Sequence, residues 1–282
     1  MDQPSVTPAT FASPPEAAAR AMALAVLPAA LAEPYGDGPF IVVVRTSEEF
    51  SRWLRDPLPG AEGLQVEGLM GESDPWLLAA QGMLPIPLDV VLDDPATEYS
   101  ALYRLVDVRN ARDVRVTIPA RSGFLKAVRL AVSLQLPVRL LPGQPDSETL
   151  VELSQALEFY LRDPMVETPI EFFHSTLAVF RGLDDGSLWS FLEHDPAEVS
   201  PRDAAGQPLL ASDFVESHFG RLLADGAECA SCRWQSLCRG YFKHPNPAYE
   251  CAGIKGLLSA LEAAANEITG DLAAWEPALP HE

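Results

Sequence analysis

The sequence contains no cysteine before residue 229, and its four cysteines all lie between residues 229 and 251. A disulfide framework across the first 228 residues is therefore excluded, as is any cysteine-based catalytic or metal site there. A chain of 282 residues with 48% hydrophobic content can nevertheless fold around a core of its own.

Positive charge is also scarce. The chain has 20 Lys and Arg against 40 Asp and Glu, a formal net charge of −20. Nucleic acids and anionic membrane surfaces are bound by clustered Lys and Arg, so neither is expected as a partner. The acidic balance predicts either a well-solvated surface or a binding surface for a basic protein or peptide.

Long hydrophobic runs are absent as well. The most apolar stretch near the start is residues 22–28, and no basic segment precedes it, because Arg20 is the first positively charged side chain. This stretch is too short to span a bilayer and does not resemble a signal peptide. We therefore expect a cytoplasmic protein whose residues 1–38 form an N-terminal tail and a short helix.

Common catalytic motifs are missing too. No Gly-rich phosphate loop, Gly-x-Ser-x-Gly or His-Glu-x-x-His occurs. Two acidic pairs, at residues 93–94 and 184–185, are typical of turns. No catalytic residue is predicted, although an unrecognised acidic site in the body remains one hypothesis for function.

The middle of the chain predicts an α/β fold. Short β-branched runs alternate with helical patterns, which favours parallel β/α units in a sheet that is open or curved like part of a barrel. The predicted strands are residues 40–45, 88–92, 114–118 and 138–141. The predicted helices begin at Thr46 or Ser47, Tyr99, Ser122, and Asp146 or Ser147, and residues 56–87 are predicted as a mainly irregular connection. This body covers residues 39–184.

Residues 185–282 are predicted to form a second, smaller domain. They are predicted to contain a hairpin at 199–210, a helix at 214–223, the cysteine segment and an amphipathic helix at 254–272. The boundary falls near residues 182–186, where glycine and aspartate are concentrated.

The cysteines follow the spacing Cys229-x2-Cys232-x5-Cys238-x12-Cys251. Cys-x2-Cys directs two thiolates into one site, and later cysteines complete a tetrahedral zinc site or a four-iron, four-sulfur cluster. Two disulfides or a reduced redox pair are the alternatives. We predict Cys229, Cys232, Cys238 and Cys251 as ligands of a 4Fe-4S cluster, or alternatively of zinc.

Four neighbouring residues are candidates for supporting roles. Trp234 is predicted to cover the site, and Arg233 and Arg239 to donate hydrogen bonds to sulfur or to offset thiolate charge. His244 is either a surface residue or an additional ligand or donor.

The cysteine run, followed by Asn246-Pro-Ala-Tyr-Glu-Cys251 and an amphipathic helix, resembles the SPASM domain. This domain follows the partial barrel of many radical S-adenosylmethionine enzymes that modify peptides and proteins. The resemblance implies that the four cysteines of this chain correspond to the ligands of the second of the family's two auxiliary clusters. Over residues 39–184 it implies only a related fold.

The departures from this family are specific. Phe242 occupies the position of a further motif cysteine, and Gly206 and Ala211 align with an upstream Gly-x4-Cys element that lacks its thiol here. The missing thiols belong to the first auxiliary cluster. The Cys-x3-Cys-x2-Cys motif that binds the catalytic cluster is absent altogether.

The sequence thus predicts a protein related to radical S-adenosylmethionine enzymes that does not cleave S-adenosylmethionine alone. It would assist a peptide- or protein-modifying maturase as a scaffold, a substrate presenter or an electron relay. Its expected partner is that maturase or the maturase's precursor peptide. A zinc-stabilised protein-interaction module without a redox role is the alternative.

Overall fold

A computed structural model describes residues 23–36, 38–81 and 86–275. These residues form one sheet of eight parallel strands in the order β7-β6-β5-β4-β3-β2-β1-β8. The strands are β1 (Leu24–Pro28), β2 (Phe40–Val44), β3 (Ala61–Glu67), β4 (Leu88–Val91), β5 (Val114–Pro119), β6 (Val138–Leu141), β7 (Ile170–Glu171) and β8 (Val199–Pro201). The sheet is a half-barrel, which confirms the predicted α/β class with parallel strands.

Helices connect the strands and follow them. They are α1 (Ala29–Ala32), α2 (Ser47–Arg55), α3 (Asp74–Ala80), α4 (Pro95–Glu98), α5 (Leu105–Arg109), α6 (Phe124–Ser133), α7 (Ser147–Arg162), α8 (Phe173–Phe180), α9 (Leu188–Phe191), α10 (Phe214–Ala224), α11 (Gln235–Cys238) and α12 (Ala252–Trp275). Among the described residues, 3-10 helices lie at Tyr99–Arg104, Glu228–Ser231 and Tyr241–Lys243.

Two predicted helix starts are confirmed by their caps. The Thr46 hydroxyl accepts the Glu49 backbone N–H, while the Glu49 carboxylate accepts the Thr46 N–H, which is a capping box. Asp146 accepts the Thr149 N–H at the start of α7. The predicted helices beginning near residues 214 and 254 are also present, as α10 and α12.

Two strands near the start of the sheet were not predicted. The described part of the apolar stretch at 22–28 forms β1, which pairs with β2 and β8 and is followed by the short helix α1; the expected tail before it lies outside the described residues. The connection at 56–87 contains β3, where Leu64 and Val66 are buried and alternate with more exposed polar residues. This alternation is the strand period, and the flanking Pro and Gly concealed it.

Three further local predictions need correction. Ser122 does not cap α6, whose N-cap is the left-handed Gly123. The expected helix at 99–110 is a 3-10 helix followed by the short α5. The expected hairpin at 199–210 begins with β8, a parallel strand, and keeps only an antiparallel bridge between Arg202 and Pro208.

One continuous apolar core joins the half-barrel to the C-terminal elements. It contains the buried strand residues together with Trp234, Leu237 and Phe242 from the cysteine segment, and Leu257 and Leu261 from α12. Helix α12 packs against α7 and α8. The cysteine segment is thereby held directly against the β/α body.

The opposite face of the sheet carries buried charge. Asp89 on β4, Arg115 on β5 and Arg139 on β6 form a closed ionic ring with Glu193, which follows α9. Arg115 lies 3.0 Å from Asp89 and 2.5 Å from Glu193, and Arg139 lies 2.5 Å from Asp89 and also contacts Glu193. The Thr117 hydroxyl donates a hydrogen bond to Asp89 and accepts one from Arg139 Nε. These hydrogen bonds link Thr117 to the ionic ring.

No helix within the described ranges is both long enough and apolar enough to cross a membrane.

Glu193→Gln should destabilise the protein by about 2 kcal/mol, because Arg115 and the almost fully buried Arg139 would each lose a carboxylate. Urea titration of the wild type and the variant measures this change in the free energy of unfolding. Glu267→Gln is the matched control, since its pairing with Arg162 is more than half exposed and should contribute less than about 1 kcal/mol. Equal effects of the two substitutions would show that the ring is not a structural constraint.

Candidate metal centre in the cysteine segment

All four cysteines line one small cavity. Cys229 lies on the 3-10 helix at Glu228–Ser231, Cys232 follows it, Cys238 ends α11, and Cys251 immediately precedes α12. All four are free thiols. The structure therefore brings together the complete predicted ligand set without a disulfide.

The backbone around Cys238 is shaped to solvate its sulfur. Arg239 and Gly240 both have positive φ, 44° and 78°, which turns the chain sharply after α11. The N–H groups of Gly240, Tyr241 and Phe242 then donate hydrogen bonds to the Cys238 sulfur. A Cβ on residue 240 would stand 2.6 Å from a Leu222 methyl group, so the turn requires glycine. Such a run of N–H groups stabilises negative charge on sulfur.

Burial acts in the opposite direction on the thiols. It raises the pKa of Cys238 to about 11 and that of Cys251 to about 12, and it also raises the pKa of Cys229. These thiols are consequently protonated at neutral pH unless a cation takes the place of their protons. Metal binding at this site would release those protons and be coupled to the fold.

Two lysines and one carboxylate complete the lining. Glu228 Oε1 lies 2.8 Å from the buried Lys243 ammonium, and its other oxygen contacts Lys255. Oε1 also accepts the Cys251 backbone N–H at 3.2 Å. Hydrogen bonds from Lys243 and Lys255 hold the pKa of Glu228 at about 2, so the carboxylate is ionised at neutral pH. Glu228 thus fixes two cations beside the thiols and anchors the start of α12.

The predicted supporting residues have other roles. Arg233 stacks on the Trp234 ring, 4.2 Å from its centre, and forms an ion pair with Glu262 at 2.5 Å. Arg239 pairs with Glu216. Trp234 is buried but does not line the cavity. Sequence reasoning missed Glu228, Lys243 and Lys255 as the charged groups of the site.

His244 is likewise not part of the lining. Its ring packs against Trp189, Phe214 and His218, with centroids 5.1 to 5.7 Å apart. Phe242, at the position where the resemblance expects a further cysteine, is fully buried and packs edge-on against Phe172 and Tyr241. A core aromatic ring occupies that position.

An aromatic connection leads from the cysteine cavity to the half-barrel. Tyr241 donates its backbone N–H to the Cys238 sulfur, and its ring stacks on His194 with a centroid distance of 5.8 Å. The Tyr241 hydroxyl is 3.1 Å from His194 Nδ1. Burial lowers the pKa of His194 to about 4, so this imidazole is neutral at neutral pH. His194 follows Glu193 of the ionic ring directly.

The donor chemistry fits a thiolate-bound metal or cluster: four free thiols, three N–H donors on one sulfur and two adjacent ammonium groups. Within the described ranges, however, no three Cys, His, Asp or Glu side chains stand close enough together to hold a single metal ion. The four sulfurs surround a shared space without meeting at one point.

The chain matches no protein-family model, no curated protein and no solved structure.

Glu228→Gln should destabilise the metal-free C-terminal segment at neutral pH, because Lys243 and Lys255 lose their common counterion. The pKa of Glu228 is lowered in the folded protein, so its contribution is full above its ordinary value of 4.5 and disappears as the pH falls towards 2. Melting temperatures of wild type and variant between pH 7 and pH 2 should therefore converge.

Glu250→Gln provides the matched control, since it removes the same charge from an exposed neighbour of Cys251. A pH-independent gap for Glu228→Gln, or an identical profile for both variants, would contradict the role given to Glu228.

Proposed function

We propose that this protein is a non-catalytic accessory protein that holds one 4Fe-4S cluster on Cys229, Cys232, Cys238 and Cys251. It would serve a peptide- or protein-modifying maturase. The observation that carries the proposal is the convergence of all four cysteines of the chain on one cavity, with N–H donors and lysines around them.

Within the described ranges no three Cys, His, Asp or Glu side chains stand close enough to hold a single metal ion, which favours a cluster over zinc. Zinc binds thiolates at about 2.3 Å, which places four sulfurs within roughly 4 Å of one another. In a 4Fe-4S cluster each thiolate binds a different iron, so its ligands stand farther apart. A zinc ion would require the thiols to move together, whereas a cluster suits four thiols arranged around a shared space.

The surrounding charges suit a cluster as well. Four thiolates add four negative charges, which Lys243 and Lys255 partly offset, while N–H donors to sulfur stabilise the thiolate form. When bound, the cluster would supply one-electron redox chemistry or structural cross-linking. The protein contributes the ligands, the hydrogen bonds to Cys238 and exclusion of water by burial.

An accessory role follows from the number of ligands. Four protein thiolates leave no iron open to a substrate, and no other cysteine exists in the chain to build a second site. The resemblance to the SPASM domain supports a partner among radical S-adenosylmethionine maturases or their precursor peptides. The charge of −20 favours a partner surface or peptide that is basic.

Anaerobic purification from iron-replete cells should yield about four iron and four sulfide per chain, with brown colour. Cys251→Ser should lower both contents sharply, because it removes one ligand at the start of α12. Ser236→Ala, an exposed change on α11, is the control and should retain full content. Stoichiometric zinc in the wild type would overturn the cluster and establish the zinc-stabilised module instead.

The reduced protein incubated with S-adenosylmethionine should form no 5′-deoxyadenosine above a control without protein. The physical reason is the closed ligand set, which offers no vacant iron position for the amino and carboxylate groups of the cofactor. Liquid chromatography of the quenched mixture measures the product. Turnover by the isolated chain would contradict the non-catalytic assignment.

A further inference from the structure

Helix α12 carries one apolar face that runs beyond the part of the helix buried in the core. Apolar side chains recur along this face at alternating spacings of three and four residues: Leu258, Leu261, Ala265, Ile268, Leu272 and Trp275. The first three are buried, where α12 packs against α7 and α8. Leu272 and Trp275, by contrast, are 45% and 63% exposed. This spacing is typical of helices that pack side by side, yet among the described residues the last two turns lack the helical neighbour of the earlier turns.

An apolar groove adjoins this exposed end. Its volume is about 510 Å³, and Ile268 lines it together with Val166 and Leu177. Leu183 also lines the groove and is 67% exposed. Ile268 lies one turn before Leu272, so the groove continues along the exposed end of α12. We name this surface the α12 groove; it comprises Val166, Leu177, Leu183, Ile268, Leu272 and Trp275. Exposed apolar side chains grouped in this way are typical of protein-binding surfaces.

The surroundings of the α12 groove are acidic. The stretches 163–167, 183–185 and 267–271 hold six carboxylates and no Lys or Arg. Two arginines lie nearby: Arg162 forms an ion pair with Glu267 at 3.4 Å, and Arg181 lines the groove. The last described turn of α12 contains no basic residue. Negative charge is therefore in excess around the exposed apolar side chains.

This charge discriminates between the possible occupants of an apolar surface. A second copy of the chain would bring the same acidic residues and a net charge of −20, so it would be repelled. An anionic membrane surface would be repelled for the same reason. A segment with positive charges beside an apolar face would meet opposite charge at the rim and apolar side chains between.

We propose that the α12 groove binds a basic amphipathic helix of a partner polypeptide. The apolar face of that helix lies against Leu183, Leu272 and Trp275, and it extends the packing that α7 and α8 give to the earlier turns of α12. Its Lys and Arg side chains meet the carboxylates around the groove. The identity of the partner rests on the proposed function, whereas the surface itself needs no cluster.

The fluorescence of Trp275 reports occupancy of this surface. The chain has five tryptophans, and the other four are buried: Trp53, Trp76, Trp189 and Trp234. Acrylamide quenching of the free protein should therefore act mainly on Trp275. A bound helix should shift the Trp275 emission to shorter wavelength and protect it from quenching. Trp275→Phe should retain binding, measured by calorimetry, and abolish the spectral change.

The probe is a synthetic peptide of about 14 residues, or four helical turns, made of Leu and Lys with the leucines on one helical face. It should bind the full-length protein with a dissociation constant below about 100 μM. Two control peptides carry Glu in place of Lys, or the same composition with leucines that share no helical face. Each should bind at least about tenfold more weakly, because the first loses the charge match and the second the apolar face.

Leu183→Ser and Leu272→Ser should each weaken binding of the Leu-Lys peptide by about tenfold, since each removes an apolar contact. Leu77→Ser is the matched control and should leave binding unchanged, because Leu77 is 62% exposed on α3, which packs against α2 and α5. Iron content measured on the same samples tests the cluster separately, so failure of the cluster and failure of this surface are distinguishable.

No binding of the Leu-Lys peptide, equal binding of the Lys and Glu peptides, or equal effects of Leu183→Ser and Leu77→Ser would overturn the proposal. So would a Trp275 that is already protected from quenching in the free protein. Protection that grows with protein concentration would identify a second copy as the occupant, and protection independent of concentration a segment of the same chain.

Discussion

The ionic ring on the concave face of the half-barrel is the constraint on which the arrangement of this protein depends. Arg139 is only 8% exposed in its side chain, and its charge is tolerated there because Asp89 and Glu193 both neutralise it. The backbone of Glu193 has a left-handed conformation, with φ of 57°, and its carboxylate is part of the ionic ring. The ring thereby fixes the backbone at His194, and His194 in turn positions Tyr241 beside Cys238.

The cysteine segment has little core of its own, because its apolar residues belong to the core of the half-barrel. Phe242 is the clearest example: its ring is fully buried against Phe172, which follows β7. A cluster at the cysteines would therefore stabilise a segment that is already seated on the body. Loss of the proposed cluster would then loosen the region around Cys251 and leave the sheet intact.

The predictions that were confirmed concern helices and strands whose own residues indicate their structure. Strand β2 is a continuous apolar run, and the caps at Thr46 and Asp146 are local. Strand β1 was misread because five residues carry too little periodicity to separate strand from helix.

The spacing of the cysteines was enough to predict that they lie around one site. It did not predict which charged side chains lie beside them. Lys243 and Glu228 meet only because the chain folds back between Cys238 and Cys251, whereas the adjacent Arg233 and Arg239 point to other partners.

Several of the few positively charged side chains are engaged in ion pairs within the protein. Arg115 and Arg139 are committed to the ionic ring, and Lys243 and Lys255 are committed to Glu228 beside the thiols. These four positive charges are paired within the protein with Asp89, Glu193 and Glu228. The rest of the chain carries the excess of acidic residues that gives the net charge of −20. A field of this sign would favour the approach of basic molecules over acidic ones.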